Sequence, residues 1–185
     1  MRRSFCLFLL ISLVLVGCTP PVGKTEGGAD WNSELWISVG PLLGIDRSAA
    51  GLRFSEKEKS SSTLYYGVWS GGEPQGEGDD TVYESLACVM VQEGKPDEAI
   101  SSWQEAAGAY YDMEALTPET ADGQSFTLFS LRPRQTSPYP CGVLALATHG
   151  DFAISVELTC LEDDEEKAKT QMLRFLSAFH YRDLS

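Results

Sequence analysis

The chain has few of the residues that build metal and redox centres. Its 185 residues include only two histidines, His149 and His180, which lie far apart in the sequence. The five cysteines include no Cys-x-x-Cys pair, so the usual zinc and iron–sulfur spacings are missing. No Gly-x-Ser-x-Gly motif occurs either, and two distant histidines suggest no serine triad. We therefore predict no metal site, no cofactor and no enzymatic activity.

Basic residues are also scarce. The chain has 14 Lys and Arg against 27 Asp and Glu, a formal net charge of −13. A surface this acidic disfavours nucleic acid, so we exclude nucleic acid as a partner. The acidic loop at residues 73–80 has the oxygen ligands that calcium prefers, but it lacks the spacing of an EF-hand. A solvated acidic loop is the simpler interpretation.

No apolar run is long enough to span a bilayer comfortably as a helix. The longest, residues 5–16, follows the positive pair Arg2 and Arg3. It ends in the tetrad Leu15-Val16-Gly17-Cys18, where a small residue precedes a cysteine. A positive start followed by a short apolar stretch is typical of a secretory signal peptide.

This N-terminus resembles the lipobox signal of bacterial lipoproteins. The resemblance implies that residues 1–17 are a signal peptide, and that Cys18 is acylated on its sulfur and becomes the first residue of the mature chain. Removing residues 1–17 takes away Arg2 and Arg3 but no acid, so the charge of −13 becomes −15. The implied location is the bacterial cell envelope, with the protein lipid-anchored to a membrane on its extracytoplasmic side. The alternative is an ordinary secretory signal or an uncleaved anchor helix.

The rest of the chain reads as a tether followed by one domain. Residues 18–30 carry the lipidated cysteine and a flexible segment rich in Pro, Gly and Thr, without apolar periodicity. Residues 31–185 suit a single globular domain with a sizeable core.

Hydrophobic periodicity predicts an α+β fold. Alternation predicts strands at residues 141–147 and 152–160, joined by a tight turn at Gly150, and a further strand within 123–131. Earlier strands are predicted at 63–70 and 81–92, and 36–39 is ambiguous. One helix begins at Pro96, with Trp103 and Tyr110 on its apolar stripe; a second is capped by Asp163 or Asp164 and carries its stripe as far as Phe179. Hairpins favour a mainly antiparallel β-sheet packed by two amphipathic helices, a sandwich.

This order of elements weakly resembles the PsbP-like fold, which also occurs in small envelope lipoproteins of the DcrB type. The matching pieces are the helix from Pro96, the three-strand meander and the closing helix, over roughly residues 50–182. Because the members of this family are mostly helper proteins without catalysis, the resemblance implies a non-enzymatic role.

Three cysteines remain in the domain, so at most one disulfide forms among them. A turn at Gly150-Asp151 places Cys141 directly opposite Cys160, whereas a turn at His149-Gly150 places the two cysteines on a diagonal. Cys141–Cys160 is the predicted bridge, and Cys88 with either partner is the rival.

The predicted location in the cell envelope is the main guide to the function of this protein. We expect a non-catalytic binding or accessory module for another envelope protein, held on the lipid bilayer through Cys18. The candidate partner contacts are two early tryptophans and the basic pair of the domain: Trp31, Trp36, Arg132 and Arg134. One alternative is a small-ligand-binding lipoprotein that uses its aromatic residues. Another is an envelope hydrolase with an unrecognised carboxylate site.

Overall fold

A computed structural model of the chain describes residues 36–59, 62–76 and 81–182. The predicted signal peptide, Cys18, the tether and Trp31 lie outside these residues. The elements, in chain order, are β1 (Trp36–Val39), β2 (Leu43–Asp46), β3 (Ser48–Ala49), β4 (Leu52–Lys59), β5 (Leu64–Gly71), β6 (Ser85–Glu93), α1 (Pro96–Tyr110), β7 (Tyr111–Ala115), β8 (Glu119–Ala121), β9 (Gln124–Pro133), β10 (Cys141–His149), β11 (Phe152–Cys160), α2 (Glu165–Leu176) and β12 (Phe179–Tyr181).

The large sheet is antiparallel throughout. Its strand order is β3-β4-β5-β6-β11-β10-β9-β7, and the short β8 also pairs with β9. The sheet curves into a half-barrel that carries the two helices. The predicted α+β class, antiparallel sheet and two helices are therefore confirmed, while the sandwich description stays a prediction.

The hairpin of β10 and β11 lies at the centre of this sheet, and its turn sets the register. Gly150 takes a φ of 55°, which a glycine adopts without strain. His149 pairs with Phe152, and the ladder runs without a bulge to Cys141 opposite Cys160. Of the two turns that the sequence allows, the chain uses Gly150-Asp151.

A smaller sheet and α2 cover one face of the large sheet. The small sheet has the order β1-β2-β12, and the ambiguous residues 36–39 are its first strand. Asp164 caps α2 by accepting a hydrogen bond from Lys167 N at 3.0 Å. Four residues of α2 are buried against the sheet: Ala168, Met172, Phe175 and Leu176.

The end of α2 differs from the prediction. The helix ends at Leu176, and Phe179 belongs to β12 instead of the helical stripe. Phe179 is nevertheless fully buried, and its ring lies edge-on to Phe175, with 5.5 Å between the ring centroids. Phe179 lies four residues after Phe175, a spacing that fits the helical period. The sequence pattern therefore predicted a helix that extends too far.

Helix α1 covers the opposite face. It packs through Ala99, Trp103 and Ala107, which are buried, against β10, β11 and β6. The prediction that Tyr110 shares this stripe was wrong, because its side chain is 45% exposed at the last turn of the helix. Both faces of the central hairpin therefore pack against other elements, and α1 covers part of its face.

Candidate functional site

The start of β10 and the end of β11 bring two thiols together. Cys141 and Cys160 are buried register partners, and both are free thiols in this structure. The Cys141 Sγ donates to Glu162 O at 3.2 Å, and the Cys160 Sγ donates to Gln171 Oε1 at 3.7 Å. Burial raises the pKa of both thiols, that of Cys160 to about 12. The register that a disulfide needs is present, and the bridge itself stays a prediction.

Arg132, the first of the two arginines predicted to contact a partner, lies in β9 next to this pair of thiols. Its guanidinium forms ion pairs with Asp163 and with Glu165, the latter at 2.8 Å. Its Nη1 also approaches Pro140 O at 3.5 Å. The hydrogen bonds that Arg132 donates, to Asp163 first and to Glu165 second, raise the pKa of its guanidinium above the usual value. The side chain thus joins β9 to the start of α2, where these acids also suit the helix N-terminus.

Arg134, the second arginine predicted to contact a partner, also forms an ion pair within the chain. Arg134 Nε donates to Asp112 Oδ1 at 2.9 Å, which joins the end of β9 to β7. Both arginines therefore have acids of this chain as partners. Because all of these groups are substantially exposed, each pair contributes little to stability.

Trp36 lies elsewhere, in the small sheet. Its half-buried ring meets His180 of β12 edge-on, with 4.0 Å between the ring centroids. On the other side of β12, Tyr181 stacks on His149, with centroids 4.9 Å apart and planes within 7°. The structure therefore brings both histidines to β12, although they lie far apart in the sequence.

One polar site that the sequence pattern did not indicate lies on the α1 face of the sheet. Glu157 is the only charged residue in β11, and its neighbours across the sheet are Leu144 and Cys88. The hydroxyl of Tyr111 donates to Glu157 Oε1 at 2.8 Å. Burial raises the pKa of Glu157, and the hydrogen bond from Tyr111 opposes that shift in part. A single acid inside an otherwise apolar strand was the signal that could have found it.

Another polar group lies on the same face of the strand. Ser155 is buried two residues before Glu157, and its Oγ has no hydrogen-bond partner among the residues that the structure describes. Ser155 pairs across the sheet with Leu146 and Met90, so its surroundings are apolar. Ser155 and Glu157 therefore place two polar side chains in apolar surroundings on one strand, β11. A buried polar group that lacks hydrogen-bond partners lowers the free energy of unfolding.

The part of the chain that the structure describes holds neither a candidate metal cluster nor a candidate membrane-spanning helix. Over residues 36–59, 62–76 and 81–182, no three His, Cys, Asp or Glu side chains gather in a way that could hold a metal ion. In the same ranges, no helix is both long and apolar enough to cross a membrane.

Comparisons with known proteins give a weak likeness in fold. No protein-family model and no curated protein matches the chain. The chain is similar to the solution structure of cyanobacterial PsbP (CyanoP) from Synechocystis sp. PCC 6803, with a TM-score of 0.46, 13% identity, and coverage of 76% of this chain and 86% of that one. It is also similar to a crystal structure from Bacteroides thetaiotaomicron VPI-5482, with a TM-score of 0.35, 10% identity, and coverage of 80% and 48%.

Proposed function

We propose that this protein is a membrane-anchored lipoprotein of the bacterial cell envelope, and that its domain is a non-catalytic binding or accessory module for another envelope protein. One observation carries the proposal: the tetrad Leu15-Val16-Gly17-Cys18 at the end of a short apolar run that follows Arg2 and Arg3. In this proposal residues 1–17 are removed and Cys18 carries the acyl chains.

The physical consequence of acylation is a stable attachment. Each buried methylene contributes about 0.8 kcal/mol, so one myristoyl chain binds only marginally while two or more hold the protein on the bilayer. The acidic mature chain is repelled by anionic headgroups. The domain therefore stands away from the surface, with its exposed groups free to meet a partner.

The anchor limits where that partner can bind. Trp36 follows Cys18 by 18 residues, a span of at most about 60 Å when fully extended. Trp36 is half-buried against His180 and is the first described residue after the anchor. Arg132 and Arg134 already pair with acids of the chain, so we place the partner contact at Trp36, together with Trp31.

Labelling tests the anchor. Cells that express the full chain and are fed radiolabelled fatty acid should label the wild type, and Cys18→Ala should abolish the label. Cys6→Ala is the matched control, since it changes a cysteine that leaves with the signal peptide. Label that persists in Cys18→Ala, or that is lost equally in Cys6→Ala, would refute the anchor.

Site-specific photo-crosslinking in the same cells tests the binding module. The variant Trp36→p-benzoylphenylalanine should give one discrete crosslinked species, and the same group at Glu105, an exposed position on α1, should not. A crosslink from neither position would refute contact at Trp36. A crosslink from both would show that contact is not selective for the small sheet.

A further inference from the structure

The carboxyl group of Glu157 has a partner on one oxygen only. Oε1 accepts the hydrogen bond from Tyr111, at 2.8 Å, and Oε2 has no donor in the described part of the chain. No lysine or arginine of that part forms an ion pair with it. An acid removed from bulk water without a cation is costly, and natural proteins compensate buried charges with a pair.

The surroundings of Glu157 are apolar and partly open. Its register partners are Leu144, which is buried, and Cys88, which is half-buried, and Val68 of β5 follows Cys88 in the same row. Glu157 itself is also half-buried, so solvent reaches part of the side chain. Helix α1 packs on β10, β11 and β6, and its last buried residue is Ala107. The acid therefore lies where an apolar surface meets solvent.

We propose that Glu157 and Tyr111 form a binding site for a protonated primary amine on a short hydrocarbon chain. The ammonium supplies both the missing charge and the missing hydrogen-bond donor at Oε2. The hydrocarbon chain lies beside Cys88, the half-buried register partner of Glu157. Tyr111 fixes the carboxyl group through Oε1, so the other oxygen stays free for the ligand.

Charge complementarity selects this ligand class over the alternatives. An anion would be repelled by the ionised carboxylate and by the acidic chain as a whole, which carries a formal charge of −13. A neutral alcohol could hydrogen-bond Oε2 but would leave the charge uncompensated. The burial that raises the pKa of Glu157 reflects this same uncompensated environment. The amine can come from a free alkylamine or from a lysine side chain, and the chemistry at Glu157 is the same.

Matched probes test the charge requirement on the full chain in detergent micelles. n-Butylamine and 1-butanol share one hydrocarbon chain and differ in the cationic group. Protein NMR titrations at pH 8 should show saturable shifts at the amides of Cys88, Tyr111 and Glu157 with butylamine. Hydrogen bonds to charged groups contribute more than neutral ones, so butanol should bind about tenfold more weakly.

Two variants separate this site from general attraction of cations to an acidic chain. Glu157→Gln keeps the shape of the side chain and should reduce butylamine binding to the level of butanol. Glu105→Gln removes an exposed acid of α1 and should change nothing at these amides. The unperturbed spectrum of each variant shows that it is folded. Because glutamine removes an unpaired acid, we expect Glu157→Gln to fold.

The two sources of amine are distinguished by a second pair of probes. Nα-acetyl-lysine methylamide and Nα-acetyl-norleucine methylamide differ only in the terminal ammonium and carry a peptide backbone. Tighter binding of the lysine compound than of butylamine would identify a lysine side chain as the ligand, and weaker binding would identify a free amine. Equal binding of butylamine and butanol, no saturable shift with any amine, or shifts that survive in Glu157→Gln would overturn the proposal.

Discussion

The disulfide between Cys141 and Cys160 is the prediction that depends most directly on register. The two residues are paired in the antiparallel ladder, and a ladder one step out of register would have separated them. Counting outward from the turn makes them a hydrogen-bonded pair, whose Cα atoms lie wider apart than in the alternate pairs. Some strain must therefore be subtracted from the stabilisation that a bridge gives.

The size of the effect follows from the loop that the bridge closes. A loop of about twenty residues corresponds to about 3 kcal/mol in the chain-entropy description. Forming the bridge removes two S–H hydrogen bonds, from Cys141 to Glu162 O and from Cys160 to Gln171 Oε1, and such donors are weak. We expect a net stabilisation of about 2–3 kcal/mol, or about 4–12 °C in the melting temperature for a domain of this size.

The assay compares each protein with itself, with and without a phosphine reductant. Wild-type protein and Cys88→Ser, both prepared from an oxidising compartment, should lose this stability when the reductant is added. The stability of Cys141→Ser should not change when the reductant is added. Because each protein is compared only with itself, any direct effect of the serine on stability cancels. Because burial raises the pKa of both thiols, the thiolate needed for exchange is scarce, and reoxidation of the folded protein should be slow. Unchanged stability of the reduced wild type, or a crosslinked peptide that contains Cys88, would refute the reasoning.

Two further predictions concern Glu157 and the cap of α2. Burial raises the pKa of Glu157 above its ordinary 4.5, so its stabilising contribution is complete below that value and is lost as pH rises through the raised pKa. Glu157→Gln should therefore gain stability relative to the wild type between pH 4 and pH 8 in urea unfolding, and a difference independent of pH would contradict this. Asp164→Ala removes the acceptor for Lys167 N and should cost about 1 kcal/mol in thermal unfolding. The exposed first-turn control Glu166→Ala should cost less, and equal losses would argue against the cap.

Local turn and cap chemistry made the central hairpin and the helix starts predictable. Gly150 offered a positive φ, and the alternation on either side of it left only two registers. Pro96 marked the first residue of α1, and Asp164 was one of two predicted caps of α2. Each of these signals is contained within a few residues, so no distant contact was needed to interpret it.

The small sheet was harder to predict because its strands are short and meet only in three dimensions. β12 has three residues and pairs with β2, more than 130 residues earlier in the chain. Phe179 fits a helical period and an alternating strand equally well, so periodicity could not assign it. The choice is made by packing, since its ring lies against Phe175 and Phe126 in the folded chain.

Glu157 was missed for a different reason. Alternation in β11 predicted one buried face and one wetter face, and Glu157 falls on the second. Helix α1 covers part of that face, where Ala153 and Ser155 are small enough to let a helix approach. A single sequence shows which residues share a face, but it does not show which helix will cover that face.

The packing on both faces of the central hairpin limits where the proposed membrane-anchored module could meet a partner. Because α1 covers part of one face of the central hairpin, and α2 with the small sheet covers the other, we expect most of the contact with a protein partner to lie at the periphery. Trp36 is at that periphery, in a strand at the edge of the small sheet, within about 60 Å of chain from Cys18. If Cys18 carries the anchor as proposed, a partner that binds there has to come within the same distance of the membrane. We therefore expect a flexible insert between Cys18 and Trp36 to weaken the crosslinks from position 36 when the partner is itself membrane-bound. The reason is that the effective concentration of the protein and its partner falls as the linker between anchor and domain grows.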